Sequence, residues 1–525
     1  MGGVFLYLLY NRATNSQSGV LMFRLFLATI LAFSPLTSLA EESSTNLTIY
    51  SSVVPGSVSP YLFRPTQGMP GWRYNQIPGY AVVREKRDIS LDSGINQVKF
   101  SDVAAFIDPT TVMFKSLTDP SGTSVIEQNF HFDLVSKDKL LEKYIGQTIE
   151  VEQNLGDNIE TSVGKLLSNQ GGITLELAGG KVSSLGSYSN IKFPELPGGL
   201  ITKPTLIWDV YARKGNIHNV ETSYQTEGIS WWADYNAVYR EGRDENSGYL
   251  DLGSWVTIIN KSGATYKDAG LKLIAGDVNK VSTSGMRDGG LMAMEMAASP
   301  MMDKGFKEKS FFEYHMYTLG RNTTVPDNST KQIELFPTAS SVPVEKIYIY
   351  NGLGNNIRYY GNTNMDSNFG KNSNNKVDTY LKFKNEKNSG LGIPLPAGKI
   401  RVSKEDSDGS KEFIGEDVID HTPKNEEVII KLGNAFDVVG ERKQVYFKVD
   451  NARRYMDETI EIKVRNHKDE AINVLVKEGV YRGKNWEILS FTGKYDKIDA
   501  HTIHFPIRVA KDGEEKIRFT ARYSW

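Results

Sequence analysis

The sequence predicts a mainly β protein with little helix, built from several antiparallel β-sandwich or barrel domains and ending in an immunoglobulin-like sandwich. Two observations lead to this prediction. Apolar and polar residues alternate with the period of a strand along much of the chain, whereas helical periodicity is rare. Clusters of Gly, Asn and Asp separate the short apolar runs at the spacing that is typical of β-sandwiches.

The N-terminal region has the pattern of a secretory signal peptide over residues 22–40. Arg24 precedes the apolar run LFLATILAF at 25–33, and small residues lie at Ser38 and Ala40. A positive start, a short apolar stretch and small residues before the cleavage point are the three parts of such a signal. We therefore predict cleavage between Ala40 and Glu41, translation from Met22, and a non-structural extension over residues 1–21. The mature chain is expected in the periplasm or outside the cell, without a transmembrane span.

Composition excludes several classes of function. The 61 basic and 63 acidic residues nearly cancel, so no net field favours nucleic acid. The chain has 0 Cys, which excludes disulfides, thiol nucleophiles and a lipidated cysteine anchor. No cofactor is expected, and the expected partner is an envelope glycan or protein.

Four segments are predicted to fold. Residues 41–145 form an N-terminal β-domain, which ends in a helix over 137–144 with Ser136 as its cap. Residues 146–196 have short strands and tight Gly turns, which favour a small barrel-like domain. Residues 197–430 form a central β-sandwich domain with a Met-rich loop at 285–305 and an Asn-rich loop at 351–376.

Residues 431–525 are predicted to form the immunoglobulin-like sandwich. The last ten residues alternate without a fault, with apolar side chains at every second position. The same alternation is found in two earlier runs. The apolar positions are Val445, Phe447 and Val449; Ile460, Ile462 and Val464; and Ile517, Phe519, Ala521, Tyr523 and Trp525. The aromatic C-terminus also resembles the terminal strand signal of outer-membrane barrels, which leaves an outer-membrane-associated protein as a lesser alternative.

The sequence has no nucleophile elbow, zinc-protease helix or dinucleotide fingerprint, so no catalytic residue is predicted. Asp408 and Gly409 lie between two strand patterns and predict a hairpin turn instead of a calcium loop. His501 and His504 lie in a strand pattern, where residues three apart point to opposite faces, so no metal site is predicted there.

Six methionines fall in the Met-rich loop, and their thioethers suit Cu(I). A low-complexity loop explains the same composition without any function, and it is the preferred interpretation. These residues are Met286, Met292, Met294, Met296, Met301 and Met302.

The most suggestive constellation is aromatic. Trp231, Trp232, Tyr235 and Tyr239 lie close together beside Asp and Asn residues. Flat rings next to carboxylate and amide groups can stack on a sugar and hydrogen-bond to it. Large rings also fill the cores of sandwiches, and core packing is the favoured interpretation.

Several motifs resemble the domain of unknown function at the C-terminus of bacterial mucoidy-inhibitor proteins. The resemblance covers most of the chain after Lys203, and the block at 391–422 is its most specific part. The motifs are FFEYHMYTL at 311–319, KQIEL at 331–335, LGIPLPAGKIRV at 391–402, GED at 415–417, GER at 440–442, VRNH at 464–467 and NWEI at 485–488. Residues 41–200 differ from that family, because they show no coiled-coil heptads.

The resemblance implies an exported β-sandwich protein of the envelope that is linked to surface polysaccharide, and it implies no catalytic residues. Together with the residues themselves, it favours a non-catalytic binding or assembly module. The alternative is a hydrolase whose carboxylates are brought together by the fold.

Overall fold

The computed structural model describes residues 44–51, 77–131, 135–155, 158–198, 200–276, 278, 305–353 and 357–525. Residues Ser43–Trp525 form one compact unit. The predicted signal peptide, its cleavage site at Ala40 and Glu41, and the six methionines lie outside the described residues. The mainly β fold class is confirmed.

The elements follow in chain order. They are β1 (Thr45–Tyr50), β2 (Tyr80–Leu91), β3 (Gly94–Ser101), β4 (Ile107–Ser116), β5 (Thr123–His131), α1 (Lys137–Lys143), β6 (Thr148–Leu155), β7 (Asn158–Ser168), β8 (Ile173–Leu177), β9 (Val182–Leu185), β10 (Asn190–Lys192), β11 (Thr205–Ala212), β12 (Asn216–Thr226), β13 (Ile229–Glu241), β14 (Ser247–Asn260), β15 (Tyr266–Ala275), β16 (Phe306–Phe311), β17 (Tyr314–Leu319), β18 (Thr323–Val325), β19 (Ser329–Asn351), β20 (Lys376–Lys384), a 3₁₀ turn (Lys387–Ser389), β21 (Gly398–Glu405), β22 (Lys411–Ile419), β23 (Glu427–Asp450), β24 (Tyr455–Asn466), β25 (Ile472–Gly479), β26 (Asn485–Phe491), β27 (Asp496–Lys497), β28 (Thr502–Val509) and β29 (Glu514–Ser524).

These strands form four sheets. An eight-stranded sheet has the order β16-β17-β15-β1-β2-β12-β4, with β18 added on β15, and a three-stranded sheet has the order β3-β11-β5. The large sheet has thirteen strands, with the main path β22-β21-β13-β14-β19-β20-β23-β24-β29-β26 and with β25, β28 and β27 branching from β19. Most pairs are antiparallel, but β1 with β15, β13 with β21 and β19 with β25 are parallel.

The first core lies between the eight-stranded sheet, the three-stranded sheet and the first half of the large sheet. Its buried side chains run from Leu47 to Ile430 along the chain. Trp208 is fully buried at its centre, with the rings of Phe100 and Phe114 at 5.2 and 5.3 Å. Strands of the predicted segments 41–145 and 197–430 therefore share one sheet and one core.

The C-terminal core lies between the two layers of a sandwich. One layer contains β26, β29, β24 and the second half of β23, and the other contains β27, β28, β25 and the end of β19. Buried residues Tyr348, Tyr350 and Val377 belong to this core although they precede residue 431. The predicted boundary at 430/431 lies inside β23, because this long strand passes from one core into the next.

Residues 137–193 form a separate small core between α1 and a five-stranded sheet of order β10-β6-β7-β8-β9. The helix is confirmed: the Ser136 hydroxyl accepts the Lys139 N–H, and buried Leu141 faces the sheet. In the part of the chain that the structure describes, the end strands β9 and β10 do not pair with each other. The barrel expected over 146–196 is therefore wrong, and an open sheet takes its place.

The predicted alternation holds for two runs and, in the third, for Phe447 and Val449, which pack against the C-terminal core. Ile460, Ile462 and Val464, and the apolar residues of β29, face the C-terminal core. Val445 is exposed instead, because the pairing of β23 with β24 shifts register between Gln444 and Tyr446. Such a bulge moves the following side chains to the other face.

Three buried asparagines form the same kind of hydrogen bonds at the ends of three strands. Asn260, Asn385 and Asn466 are fully buried, and each side-chain amide donates to backbone carbonyls of two separate loops. The acceptors are Ala264, Val325 and Pro326 for Asn260, Ile393 and Pro423 for Asn385, and Glu470 and Ala510 for Asn466. Buried loop carbonyls that would otherwise lack partners are thereby satisfied.

Glu245, in the turn between β13 and β14, joins that hairpin to the C-terminal sandwich. Its Oε1 accepts hydrogen bonds from Lys346, Lys468 and Tyr348 at 2.7 to 2.8 Å. Burial raises the pKa of this carboxyl, but the three donors outweigh burial and lower it to about 2.

Candidate functional site

The aromatic residues that the sequence singled out lie on the two faces of β13. Trp231, Tyr235 and Tyr239 point into the first core, where they are 1%, 0% and 4% exposed. Each polar group has a backbone partner: Trp231 Nε1 donates to the Ile274 carbonyl, Tyr235 Oη to Pro396, and Tyr239 Oη to Ser247. Burial raises the pKa of Tyr235 far above its usual value. These three rings therefore pack the core and offer no face to a ligand.

Trp232 lies on the opposite, outer face of β13. It is 8% exposed and packs with Ile77 and Ile259. Its indole N–H donates to Asp234 Oδ2 at 2.8 Å. Trp232 therefore serves to orient Asp234.

Asp234 is the centre of a polar network on this outer face. Its Oδ2 also accepts from Thr257 Oγ1 at 2.7 Å, and its Oδ1 lies 3.3 Å from the Arg401 guanidinium. Gln332 donates in turn to Thr257 at 3.1 Å. Because three donors hold this carboxylate and Asp234 is only 9% exposed, its position on the sheet is fixed.

Arg401 reaches this network from the neighbouring strand β21. Its Nε lies 3.6 Å from Glu416 on β22, and Lys399 forms an ion pair with the same carboxylate at 3.1 Å. The Arg401 side chain is 43% exposed. The guanidinium is therefore aligned from two sides and still has N–H groups that face solvent.

Two exposed aromatic residues continue this surface along β14. Trp255 lies opposite Asp234 in the register with β13, and Tyr249 lies opposite Arg240; each ring is 40% exposed. Between them, Gly253 lies opposite the exposed Asn236. We call this surface the outer track and define it by Asp234, Asn236, Tyr249, Gly253, Trp255 and Arg401.

The ion pair of Arg240 and Asp251 borders the outer track near Tyr249. Arg240 donates to Asp251 Oδ1 at 2.8 Å, and the Ser341 backbone N–H donates to the same oxygen. The Ser341 N–H, together with Arg240, lowers the pKa of Asp251. The track thus combines stacking rings with fixed hydrogen-bonding groups on a flat sheet face.

The remaining candidates from the sequence have structural roles. Asp408 and Gly409 lie in the turn of the β21–β22 hairpin, as predicted, with Gly409 N–H donating to Asp406 O. His501 stacks on Tyr359 at 4.5 Å, whereas His504 faces Asp496 across β27 and β28. Within the described ranges, no group of three or more acidic or histidine side chains could hold a metal ion.

One serine and histidine pair has the spacing of a nucleophile and its base. Ser116 Oγ lies 3.0 Å from His218 Nδ1, and His218 Nε2 faces the Lys214 carbonyl at 3.1 Å. Both side chains are buried at 1% exposure. A substrate cannot reach Ser116 in this conformation, so the pair serves as a satisfied polar contact in the fold.

Two buried carboxylates face each other across the C-terminal core, and each is held by an arginine. Arg442 contacts both oxygens of Glu478 at 2.8 to 3.0 Å, and Arg482 donates to Glu458 at 2.9 Å. Burial raises the pKa of Glu478, and Arg442 opposes this effect. All four side chains are almost completely buried, so this arrangement does not resemble the open carboxylate pair of a hydrolase.

These arginines also hold the Asn-rich loop. Arg442 donates to the Gly370 carbonyl, and Arg482 donates to the carbonyls of Asp366 and Phe369. The Arg482 guanidinium lies 4.5 Å from the centre of the Phe447 ring. The loop is therefore fixed to the sandwich through its backbone carbonyls.

The sequence reasoning missed Trp255, Tyr249 and Arg401. A signal for the first two was available, because β14 alternates strictly: Leu250, Leu252, Ser254 and Val256 are buried, and Tyr249, Asp251, Gly253 and Trp255 lie on the other face. No comparable signal existed for Arg401, since its partner is 167 residues away in the chain.

No protein-family model matches the chain, and no curated protein matches it. Among the described residues, no helix is long and apolar enough to cross a membrane.

Proposed function

We propose that this protein is an exported, non-catalytic binding module of the bacterial envelope whose outer track binds glycan. The observation that supports this proposal most directly is the exposed Trp255 ring beside Asp234, whose carboxylate is oriented by three donors. A sugar presents an apolar face of C–H groups and a rim of hydroxyls. The exposed Trp255 indole matches the face, and the exposed Arg401 guanidinium and Asn236 amide match the rim.

The location in the envelope is supported by sequence alone. The signal pattern at 22–40 supports export, and the resemblance of residues 391–422 to the mucoidy-inhibitor domain supports a link to surface polysaccharide. The block at 391–402 also contains Arg401, which contacts Asp234. Arg401 therefore belongs both to the proposed site and to the segment whose resemblance is most specific.

Affinity electrophoresis of the mature protein, residues 41–525, tests the proposal. The probe is polysaccharide purified free of protein from the envelope of the producing cells and cast into a native gel. We expect the parent protein to be retarded and Trp255→Ala to lose about tenfold or more in affinity, because it loses both the buried area and the stacking of the ring. Trp255→Phe should recover part of this loss.

The matched control is Tyr211→Ala. Tyr211 is 44% exposed on β11 in the three-stranded sheet, whereas the outer track lies on the thirteen-stranded sheet. This variant should bind like the parent, and circular dichroism should show the same strand content for all variants. If the parent protein migrates identically with and without polysaccharide, the proposed function is wrong.

A further inference from the structure

The two aromatic residues of the outer track are placed for one extended ligand. Tyr249 and Trp255 are six residues apart on the same face of β14. At about 3.4 Å per residue, their Cα atoms are roughly 20 Å apart along the strand. A single sugar ring is too small to contact both platforms, whereas a chain of several rings can.

The surface between the two platforms contains one glycine and one ion pair. Gly253 lies two residues from Trp255 and has no side chain that would stand up from the sheet, and Asp251, between Gly253 and Tyr249 on the same face, is held by Arg240 and the Ser341 N–H. A Cβ placed there would meet only Thr338 Oγ1 at 3.5 Å and the Asn236 carbonyl at 3.7 Å, which are ordinary contacts. The fold therefore tolerates a side chain at position 253, and its absence leaves a shallow passage between Trp255 and the ion pair of Asp251 and Arg240.

Hydrogen-bonding groups line this passage on the β13 side. Asp234, Asn236, Val238 and Arg240 lie opposite Trp255, Gly253, Asp251 and Tyr249 in turn. Asn236 is exposed, so its amide can both donate to and accept from hydroxyl groups. The order along β14 is thus the Trp255 ring, the Asn236 amide beside Gly253, the ion pair of Arg240 and Asp251, and the Tyr249 ring.

We infer that the outer track binds a linear, hydroxyl-rich oligosaccharide along β14, with one sugar on Trp255, another on Tyr249 and the intervening rings over Gly253. This inference rests on the proposed function and adds the form of the ligand. The inferred ligand is a glycan of several units instead of a terminal sugar, because a terminal sugar needs one aromatic platform and the protein provides two.

Calorimetric titration with a size series tests the inference. The probes are fragments of the same purified envelope polysaccharide, cut by partial acid hydrolysis and sorted by length. We expect affinity to rise steeply at the length that reaches both rings, and Tyr249→Ala to remove that rise. The loss should be about two- to tenfold for long fragments, and short fragments should be unaffected.

Gly253→Gln provides a second variant that removes no contact. A glutamine at this position should block the passage and lower the affinity for long fragments to that of short ones, while Trp255 still binds the short ones. Tyr211→Ala is again the matched control, and melting temperatures within a few degrees of the parent should verify folding.

The two proposals fail in different ways. If Trp255→Ala abolishes binding while Tyr249→Ala and Gly253→Gln leave the affinity for every fragment unchanged, the extended mode is overturned and the glycan site stands. If no fragment and no intact polysaccharide binds the parent protein, both proposals fall.

Discussion

The buried ion pair of Arg442 and Glu478 gives the strongest test of the fold. Arg442 lies on β23 and Glu478 on β25, so the pair joins the two layers of the C-terminal sandwich through its core. Their side chains are 4% and 0% exposed. Arg442→Met leaves the Glu478 charge in the core without a partner, which costs about 3–5 kcal/mol. The lost bond to the Gly370 carbonyl adds about 1 kcal/mol.

The double replacement should cost much less than either single one. In Arg442→Met combined with Glu478→Leu, no charge of this pair remains buried, and apolar side chains of similar length fill the space. Such exchanges are often nearly neutral, so we expect a net loss of about 1–2 kcal/mol, mainly from the Gly370 carbonyl. Glu478→Leu alone should cost about 3–5 kcal/mol, since it leaves Arg442 unpaired.

Hydrogen exchange measured by mass spectrometry suits this double-mutant cycle, because it reports opening free energies segment by segment in a chain with several cores. Peptides from β24 and β29 should show the losses, whereas peptides from α1 and β7 in the small core should not change. A cost below 1 kcal/mol for Arg442→Met would refute the reasoning. So would a double variant whose loss equals the sum of the two single losses.

Three further predictions follow from other contacts. Asn466→Ala removes the hydrogen bonds from the Asn466 amide to two loop carbonyls and should destabilise the C-terminal sandwich by about 2–4 kcal/mol in the same exchange measurement. An unchanged opening free energy would show that these hydrogen bonds do not stabilise the sandwich. The pKa of Glu245 is about 2 in the folded protein, below the 4.5 of an unperturbed glutamate, so its contribution is complete above pH 4.5 and is lost as the pH falls toward 2. Because the Glu245 side chain is still 19% exposed, solvent screening reduces the contribution to about 1 kcal/mol, and Glu245→Gln should flatten the acid side of the pH–stability curve by that amount. Ser136→Ala should cost about 1 kcal/mol, seen as faster exchange in α1, with Ser187→Ala in the neighbouring loop as a control.

Local patterns predicted the elements that depend on local interactions. Ser136 followed by an amphipathic stretch predicted α1, and its hydroxyl caps the helix as expected. The strict alternation before Trp525 predicted β29, and Asp408-Gly409 predicted a hairpin turn. In each case the residues that determine the element lie close together in the chain, so the local sequence pattern was sufficient to predict it.

The features that were missed depend on distant contacts. The bulge near Val445 arises from the pairing with β24, and the alternation of β23 alone gives no sign of it. The ion pair of Arg442 and Glu478 joins residues 36 apart in the chain, and that of Arg401 and Asp234 joins residues 167 apart. Long strands such as β19 and β23 continue without interruption from one core to the next, so the end of a strand does not mark the boundary.

The outer track lies on a rigid support, and the segment at 391–402 provides much of that rigidity. The Pro394 carbonyl accepts a hydrogen bond from Tyr317 and the Pro396 carbonyl accepts one from Tyr235, both inside the first core. A side chain at Gly398 would collide with the Ala233 carbonyl, so glycine allows β21 to pair with β13 at this point. That pairing places Arg401 beside Asp234. The buried rings of β13 therefore have an indirect role in the proposed binding, because they fix the strand whose other face bears the outer track.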